Sequence, residues 1–295
     1  MSDRASGDDS ATPDGLPPLG SVVRSLGLTA KKSLGQHFIL DLNLTRRIAR
    51  AAGPLAGHTV VEVGPGPGGL TRALLIEGAE RVIAVERDER CRPALEAIAE
   101  RYPGRLTVAY ADALEADWPA LAAGTAGRAI VAANLHYNVA TLLLTRWLET
   151  EPWPPWFQRM ALMFQKEVAE RVVAVPATKA YGRLAVLAQW RTRAQLLFTL
   201  KPQAFTPPPA VASAVVELVP VTRPQPACSA AALSRVTAAA FGQRRKMLRQ
   251  SLKPLVRNPE ALLAAAGLSP TLRAEALPVH DLARLAYTLE RWPVR

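Results

Sequence analysis

Two cysteines, Cys91 and Cys228, and four scattered histidines are the whole supply of soft metal ligands in this 295-residue chain. None falls at metal-ligand spacing, so no metal site is expected, and the thiols read as reduced cysteines of a cytoplasmic protein. Apolar runs are short as well. None reaches the roughly eighteen residues of a membrane-spanning helix. Internal repeats are missing. Acidic residues are in deficit, 25 against 36 Lys and Arg, for a formal net charge of +11 and a pI near 10.2. That balance fits a polyanionic partner such as nucleic acid, and fits a merely soluble basic protein equally well. The first twenty residues run against it. Asp3, Asp8, Asp9 and Asp14 among Ser, Gly and Pro read as a disordered tail (1–20), without the apolar core of a signal peptide.

What is present is a strand–helix alternation from Leu42 to about Leu218. Apolar runs predict strands over Thr59–Val63, Arg81–Glu86, Leu106–Tyr110, Ala129–Ala133, Arg159–Phe164, Ala194–Thr199 and Ser213–Leu218. Leu70–Glu77, Arg90–Arg101 and Val139–Leu148 read as helices. Such alternation predicts an α/β fold with a largely parallel sheet and helices on both faces. The Pro-rich run from Glu151 to Trp156 is a stiff connector, and its tryptophans read as packing residues. Pro220, Pro224 and Pro226 mark a linker. Beyond it, Ala230–Phe241, Arg244–Leu255, Pro259–Ala265 and Asp281–Glu290 predict a small helical domain, placing the boundary at 222/223.

Four strand ends carry the chemistry. Val60–Val63 leads into Gly64-Pro65-Gly66-Pro67-Gly68-Gly69, with four glycines in six residues, and then into a helix. The glycines match a dinucleotide fingerprint, but Glu62 would repel a pyrophosphate and attract a cationic amino-acid group. Glu86 ends the next strand some twenty residues on, where a ribose hydroxyl pair needs an acceptor. Asp112 follows the third strand and could accept from an adenine amino group. Asn134-Leu135-His136-Tyr137 follows the fourth. An amide oxygen and a carbonyl there can accept from an exocyclic amine while an aromatic ring stacks on its base. Each residue alone has a plainer reading as a turn or cap residue. Together they describe a nucleoside ligand with a cationic tail, which S-adenosylmethionine satisfies.

With these motifs go Lys31-Lys32-Ser33-Leu34-Gly35-Gln36-His37-Phe38, Lys166-Glu167-Val168-Ala169-Glu170-Arg171, Tyr181-Gly182-Arg183-Leu184, Phe205-Thr206-Pro207-Pro208-Pro209 and Ala240–Lys246. Over residues 28–292 the chain resembles the ribosomal RNA adenine N6,N6-dimethyltransferases, the bacterial small-subunit group in particular. The resemblance implies a Rossmann-like class I methyltransferase sheet (21–222) with helices on both faces, plus a small C-terminal all-α RNA-binding domain (223–295). It implies a cytoplasmic monomer that dimethylates two adjacent adenosines near the 3′ end of 16S rRNA, with no membrane partner. Catalysis falls to Asn134, Leu135 and Tyr137. S-adenosylmethionine falls to His37, Ile39, Gly64, Glu86, Asp112 and Asn134, and RNA to Phe205, Arg245, Arg249 and Lys253.

Some readings stay open on the sequence. Phe205 could stack on the target base or fill the core. Arg245, Arg249 and Lys253, four residues apart, could form a phosphate-binding helix stripe or a solvated face. Lys31, Lys32, Lys179, Arg183 and Lys201 could extend a basic patch. His136 stands where the family usually has Pro, which removes a backbone restraint beside Leu135. Two other functions compete: a large-subunit rRNA adenine methyltransferase, against which the basic helical tail argues, and a non-catalytic RNA-binding assembly factor.

Overall fold

The computed structural model describes residues 12–28, 36–125, 128–135 and 137–293; the side chains of 137 and 138 are outside it. Seven strands form one sheet: β1 (Thr59–Val63), β2 (Arg81–Glu86), β3 (Leu106–Tyr110), β4 (Ala129–Asn134), β5 (Phe157–Gln165), β6 (Thr192–Leu200) and β7 (Ser213–Pro220). Their order is β3-β2-β1-β4-β5-β7-β6. The first five are parallel, and β7 runs antiparallel to both β5 and β6. Continuous apolar runs such as Ala129-Ile130-Val131-Ala132-Ala133 suit this arrangement, because parallel strands are covered on both faces. Every residue of that run is buried. The edge strand β6 instead alternates, with Arg193, Gln195 and Thr199 pointing outward.

Side-chain alternation splits the core in two. Val61, Val63, Ile83, Val85 and Val131 face one side, packed with the helices Tyr137–Leu148 and Arg183–Arg191. Val60, Val82, Ala84, Ile130 and Ala132 face the other, packed with the helices Leu42–Ala51, Gly69–Ile76 and Arg92–Arg101. Glu62 falls between Val61 and Val63 and so points at the second side, under the helix that follows the glycine turn. The tryptophans near the Pro-rich connector pack as expected. Trp156 stacks parallel on Trp118 with ring centroids 6.1 Å apart, and Trp153 donates its indole N–H to the Val221 carbonyl at 2.7 Å.

Three expectations are corrected here. The chain from Thr12 onward is docked on the body rather than loose, as the 2% exposure of Asp14 shows; residues 1–11 lie outside the described residues. The C-terminal helices Ala230–Gly242, Leu248–Ser251, Pro259–Ala265 and Val279–Glu290 form, but not as a separate core. Leu233, Val236, Leu282 and Leu285 belong to the same apolar cluster as Val131 and Trp190, and both long helices pack on Arg183–Arg191. Pro220 thus marks a change of architecture, not a break in packing. Finally, no single helix spans Arg244–Leu255. The first helix stops at Gly242, and Gln243 is non-helical at φ −125° and ψ 61°. A turn follows, closed by Lys246 N–H donating to the Gln243 carbonyl.

Tyr181 joins the two architectures. Its ring is wholly buried, and its hydroxyl donates to the Leu277 carbonyl at 2.9 Å. Tyr181→Phe keeps the ring but leaves that buried carbonyl without its donor. A loss of about 1–3 kcal/mol of stability is expected, the usual cost of an orphaned buried acceptor, read by urea unfolding at unchanged m-value.

Candidate functional site

In an open parallel sheet, connections that leave in opposite directions open a cleft at the strands' carboxyl ends. Here the reversal lies between β1 and β4, neighbours in the sheet although β2 and β3 come between them in sequence. The residues at that edge line two adjoining hollows. One is bounded by Glu62, Gly64, Gly66, Gly69 and Leu70, with Leu19, His37 and Ile39. The other is bounded by Val85, Arg87, Asp88, Asp112, Leu135 and Val139. Gln36, Gly64, Glu86 and Asn134 line both.

The glycine turn is pinned by Glu86. Gly66 adopts φ +55°, and its N–H donates to Glu86 Oε2 at 2.8 Å. The other carboxylate oxygen accepts the Asp88 N–H at 2.7 Å. Gly68, at φ +90°, starts the next helix; a Cβ there would lie 2.2 Å from Ile98 Cδ1. A larger residue would be strained at that φ and would have to displace the Ile98 side chain. The turn is thus a cradle of backbone approached closely by the Phe38 ring at Gly66 and by Leu19 at Gly69.

Two carboxyls are deeply buried. Glu62 is 1% exposed and accepts the Thr71 hydroxyl at 2.6 Å. Burial, with a smaller push from the nearby Glu86 charge, raises it to about 8. Burial also pushes Glu86 up, against the backbone N–H groups of Asp88, Gly66 and Arg87. A site that strains to ionise two acids favours a cationic ligand. Asp88 is different: the Arg90 guanidinium, aided by Gln36, holds it well below the usual carboxylate range. Asp112 accepts the Leu114 N–H at 2.9 Å and pairs with Arg87 at 3.0 Å, so it is oriented by its own turn at the rim.

Asn134 ends β4. Its Nδ2 donates to the His37 carbonyl at 3.3 Å, which leaves the side-chain oxygen as the accepting end. Leu135 is 2% exposed, so its side chain anchors the backbone that carries its carbonyl. His37 and Phe38 are held in turn by the Pro-rich loop. His37 Nδ1 lies 2.8 Å from the Pro207 carbonyl, and Phe38 and Thr206 exchange two backbone hydrogen bonds. The cleft therefore gathers His37, Ile39, Gly64, Glu86, Asp112, Asn134 and Leu135. His136, the Tyr137 side chain, Lys31 and Lys32 lie outside the described residues.

Two expectations fare differently. Phe205 is 4% exposed and packs with Leu200, Val215 and Met163; it fills the core, and its neighbours Thr206 and Pro207 serve the site instead. Arg245 sits in the turn after Gly242 and Lys253 in the turn after the helix Leu248–Ser251, which holds Arg249, so the three share no helix face. Arg245 and Lys253 are exposed, while Arg249 is half-buried with Glu260 at 3.8 Å. Sequence reasoning missed Gln36, Asp88, Thr71 and Leu19 as site residues. Gln36 and Asp88 have a signal in hindsight: each lies within two residues of an expected one, and they bond each other at 2.9 Å.

The Glu62 environment has a testable consequence. Its carboxyl rises from 4.5 to about 8 on folding. In the ligand-free protein its contribution to stability is therefore full below about pH 4.5 and lost as pH rises through about 8. Thermal melts of wild type and Glu62→Gln between pH 5 and pH 9 should show a steeper loss in wild type. A shallower slope of the same sign, from Glu86, should remain in the variant. Parallel slopes would mean that Glu62 is ionised throughout.

Comparison with known proteins agrees with this geometry. Residues 27–290 match the family model described as ribosomal RNA adenine dimethylase. A protein named ribosomal RNA small subunit methyltransferase A from Xanthobacter autotrophicus is 62% identical over 275 residues, 93% of this chain and 94% of the relative. A like-named protein from Rhodopseudomonas palustris is 61% identical over 276 residues, 94% and 95% of the two chains. A solved dimethyladenosine transferase from Plasmodium falciparum superposes with TM-score 0.72 at 22% identity, covering 86% of this chain and 98% of that one. The solved 23S rRNA methyltransferase ErmE superposes with TM-score 0.62 at 24% identity, covering 86% and 99%. These two likenesses speak to the fold. The carboxylate-lined cleft and the family match across nearly the whole chain lead to one conclusion: this protein is a methyltransferase of the ribosomal RNA adenine dimethylase family.

Proposed function

We propose that the cleft binds S-adenosylmethionine and that the protein methylates the N6 amino groups of two adjacent adenosines near the 3′ end of 16S rRNA, each twice. The observation that carries this is the convergence of Asn134 and Leu135 on the same cleft as Glu62, Glu86 and Asp112. An amine-accepting pair and a cation-accepting nucleoside site lie edge to edge.

The residues fit the cofactor. The glycine turn presents backbone without side chains of its own at Gly64, Gly66 and Gly69, Glu86 stands where ribose hydroxyls need an acceptor, and Asp112 stands at the rim for an adenine amino group. Glu62 and Glu86 favour a positively charged ligand. When bound, S-adenosylmethionine supplies an electrophilic methyl group on a sulfonium. The chain's own residues then have one task, because an adenine amino nitrogen has its lone pair delocalised into the ring. Asn134 Oδ1 and the Leu135 carbonyl accept its two hydrogens, localise the lone pair and stabilise the positive charge that develops there. Tyr137 opens the next helix, and the resemblance assigns its ring to stacking on the base. One N–H remains after a first transfer, so the same acceptors serve a second.

Small-subunit rRNA is the favoured substrate because relatives about 60% identical are named as its methyltransferases, and a net charge of +11 suits a polyanion. No described helix is long and apolar enough to cross a membrane. A monomer acting in the cytoplasm is the simplest assembly consistent with this reading.

Mass spectrometry of nucleosides from under-methylated small subunits, incubated with the protein and S-adenosylmethionine, should reveal N6,N6-dimethyladenosine. Absence of product despite cofactor binding would favour a non-catalytic assembly factor. Asn134→Ala should lower turnover about 10²–10³-fold, comparable to losing one preorganised hydrogen-bonding group, with RNA affinity nearly unchanged. For RNA, Arg245→Ala and Lys253→Ala should each flatten the log-affinity versus log-salt slope by roughly 0.7–0.9. Arg249→Ala, half-buried and near Glu260, should change it less.

A further inference from the structure

The segment Thr12–Leu28 has no part in the activity above, and its residues before 27 precede the stretch matched by the family model. It is nevertheless fastened tightly. Arg72, on the helix that follows the glycine turn, is 3% exposed, and Asp14 is 2% exposed. The guanidinium grips Asp14 with two bonds, Nε to Oδ2 at 2.8 Å and Nη2 to Oδ1 at 2.6 Å. It also donates to the Pro17 carbonyl at 2.7 Å and to the Thr12 hydroxyl at 2.9 Å. Arg101 adds a bond from Nε to the Asp14 carbonyl at 2.6 Å. A buried guanidinium is tolerated only with its counter-charge and hydrogen-bond acceptors in place, so the segment supplies what Arg72 requires. Burial pushes the Asp14 carboxyl up, but the Arg72 and Thr12 hydrogen bonds and the Arg72 charge outweigh this and hold it below its usual range.

From this anchor the chain runs to Leu19, the first residue of the helix Leu19–Ser25. Leu19 is 8% exposed and lies against the first turn of the helix Gly69–Ile76. A Cβ built on Gly69 would be 2.8 Å from Leu19 Cδ2. Leu19 also lines the hollow bounded by Glu62, Gly64 and Gly66. The segment is therefore both latched to the cofactor-side helix and part of the wall beside the buried carboxyls.

We propose that Thr12–Leu28 is a strap belonging to the cofactor site, in which Asp14 and Arg72 form the latch and Leu19 closes the hollow beside Glu62. The inference rests on the reading of that hollow as the S-adenosylmethionine site. Leu19 is the residue that touches the ligand; Asp14 and Arg72 act through it as positioning residues. Losing such a wall exposes the ligand's flank to water and speeds its escape more than it slows its entry. Asn134 and Leu135 are carried by β4 and its neighbours, so the chemical step is independent of the strap.

The test is calorimetry and stopped-flow dissociation of S-adenosylhomocysteine, with steady-state methylation, on the full chain. It compares wild type, a deletion of residues 1–18, Asp14→Asn and Leu19→Ala. The deletion should raise Kd about tenfold or more, chiefly through dissociation. Asp14→Asn and Leu19→Ala should each raise it about threefold or more. KM for the methyl donor should rise in step while kcat at saturation stays within about twofold, a split that a general loss of folding would not give. If the deletion does not fold, the two point variants decide. If wild type binds and the variants bind and release alike, the strap is only a structural appendage and the inference fails. If wild type itself does not bind S-adenosylhomocysteine, it is the cofactor reading that fails, and the strap inference with it.

Discussion

Everything at the cleft depends on one buried carboxylate and the two backbone N–H groups it accepts. Glu86 ends β2 and ties Gly66, in the turn after β1, to Asp88, in the turn after β2. Two parallel strands are thereby locked together at their carboxyl ends, where the ladder of sheet hydrogen bonds has run out. Backbone groups at such an edge need partners. A side chain that supplies them without covering the turn leaves the edge ordered and open. The same carboxylate is then available at the floor of the cleft, so one residue both builds the cavity and sets its charge.

The electrostatic character follows from burial rather than from surface charge. The chain is strongly basic overall, yet Glu62 and Glu86 lie within the protein beneath a helix start. Thr71 and backbone donors stabilise the two acids only in part, and burial pushes both up. A cationic ligand relieves that strain, and a neutral or anionic one does not. The basic surface and the acidic cleft thus suit ligands of opposite charge, a polyanion outside and a cation within. Asp88 takes a separate part. Held ionised by Arg90 and bonded to Gln36, it fastens the segment that carries His37 and Phe38 across the cleft.

The C-terminal helices are fastened in a comparable way. Arg244 donates to Glu275 at 2.8 Å and to the carbonyls of Lys179 and Thr178 at 2.8 and 2.9 Å. Tyr181 reaches the Leu277 carbonyl from the same loop. With Leu233 and Val236 packed toward Trp190 and Leu187, the basic turn at Arg245 and Lys246 is carried on a rigid extension of the sheet. That turn therefore keeps a fixed position relative to Asn134, which the proposed orientation-dependent chemistry would require.

The sequence by itself determined the elements and the strand-end chemistry. Val60–Val63, Arg81–Glu86 and Leu106–Tyr110 are legible because a buried parallel strand is a short apolar run whatever surrounds it. Glu86, Asp112 and Asn134 are legible because a polar residue leaving such a run must face the carboxyl edge of the sheet. The non-helical stretch from Gln243 to Met247, which holds Arg245 while Arg249 lies in the next helix, was not legible, since four-residue spacing is the same in a helix and across a turn. Nor was the core position of Phe205, because an aromatic beside prolines suits a stacking loop and a packed one alike. The docking of Thr12–Leu28 was hidden most completely. Residues 1–20 have the composition of a solvated tail, and what orders them from Thr12 on is a cation at Arg72, 58 residues beyond Asp14. Local pattern fixes which residues form strands and turns. Only the folded chain decides which distant charges meet, because their pairing depends on a burial that no stretch of sequence creates alone.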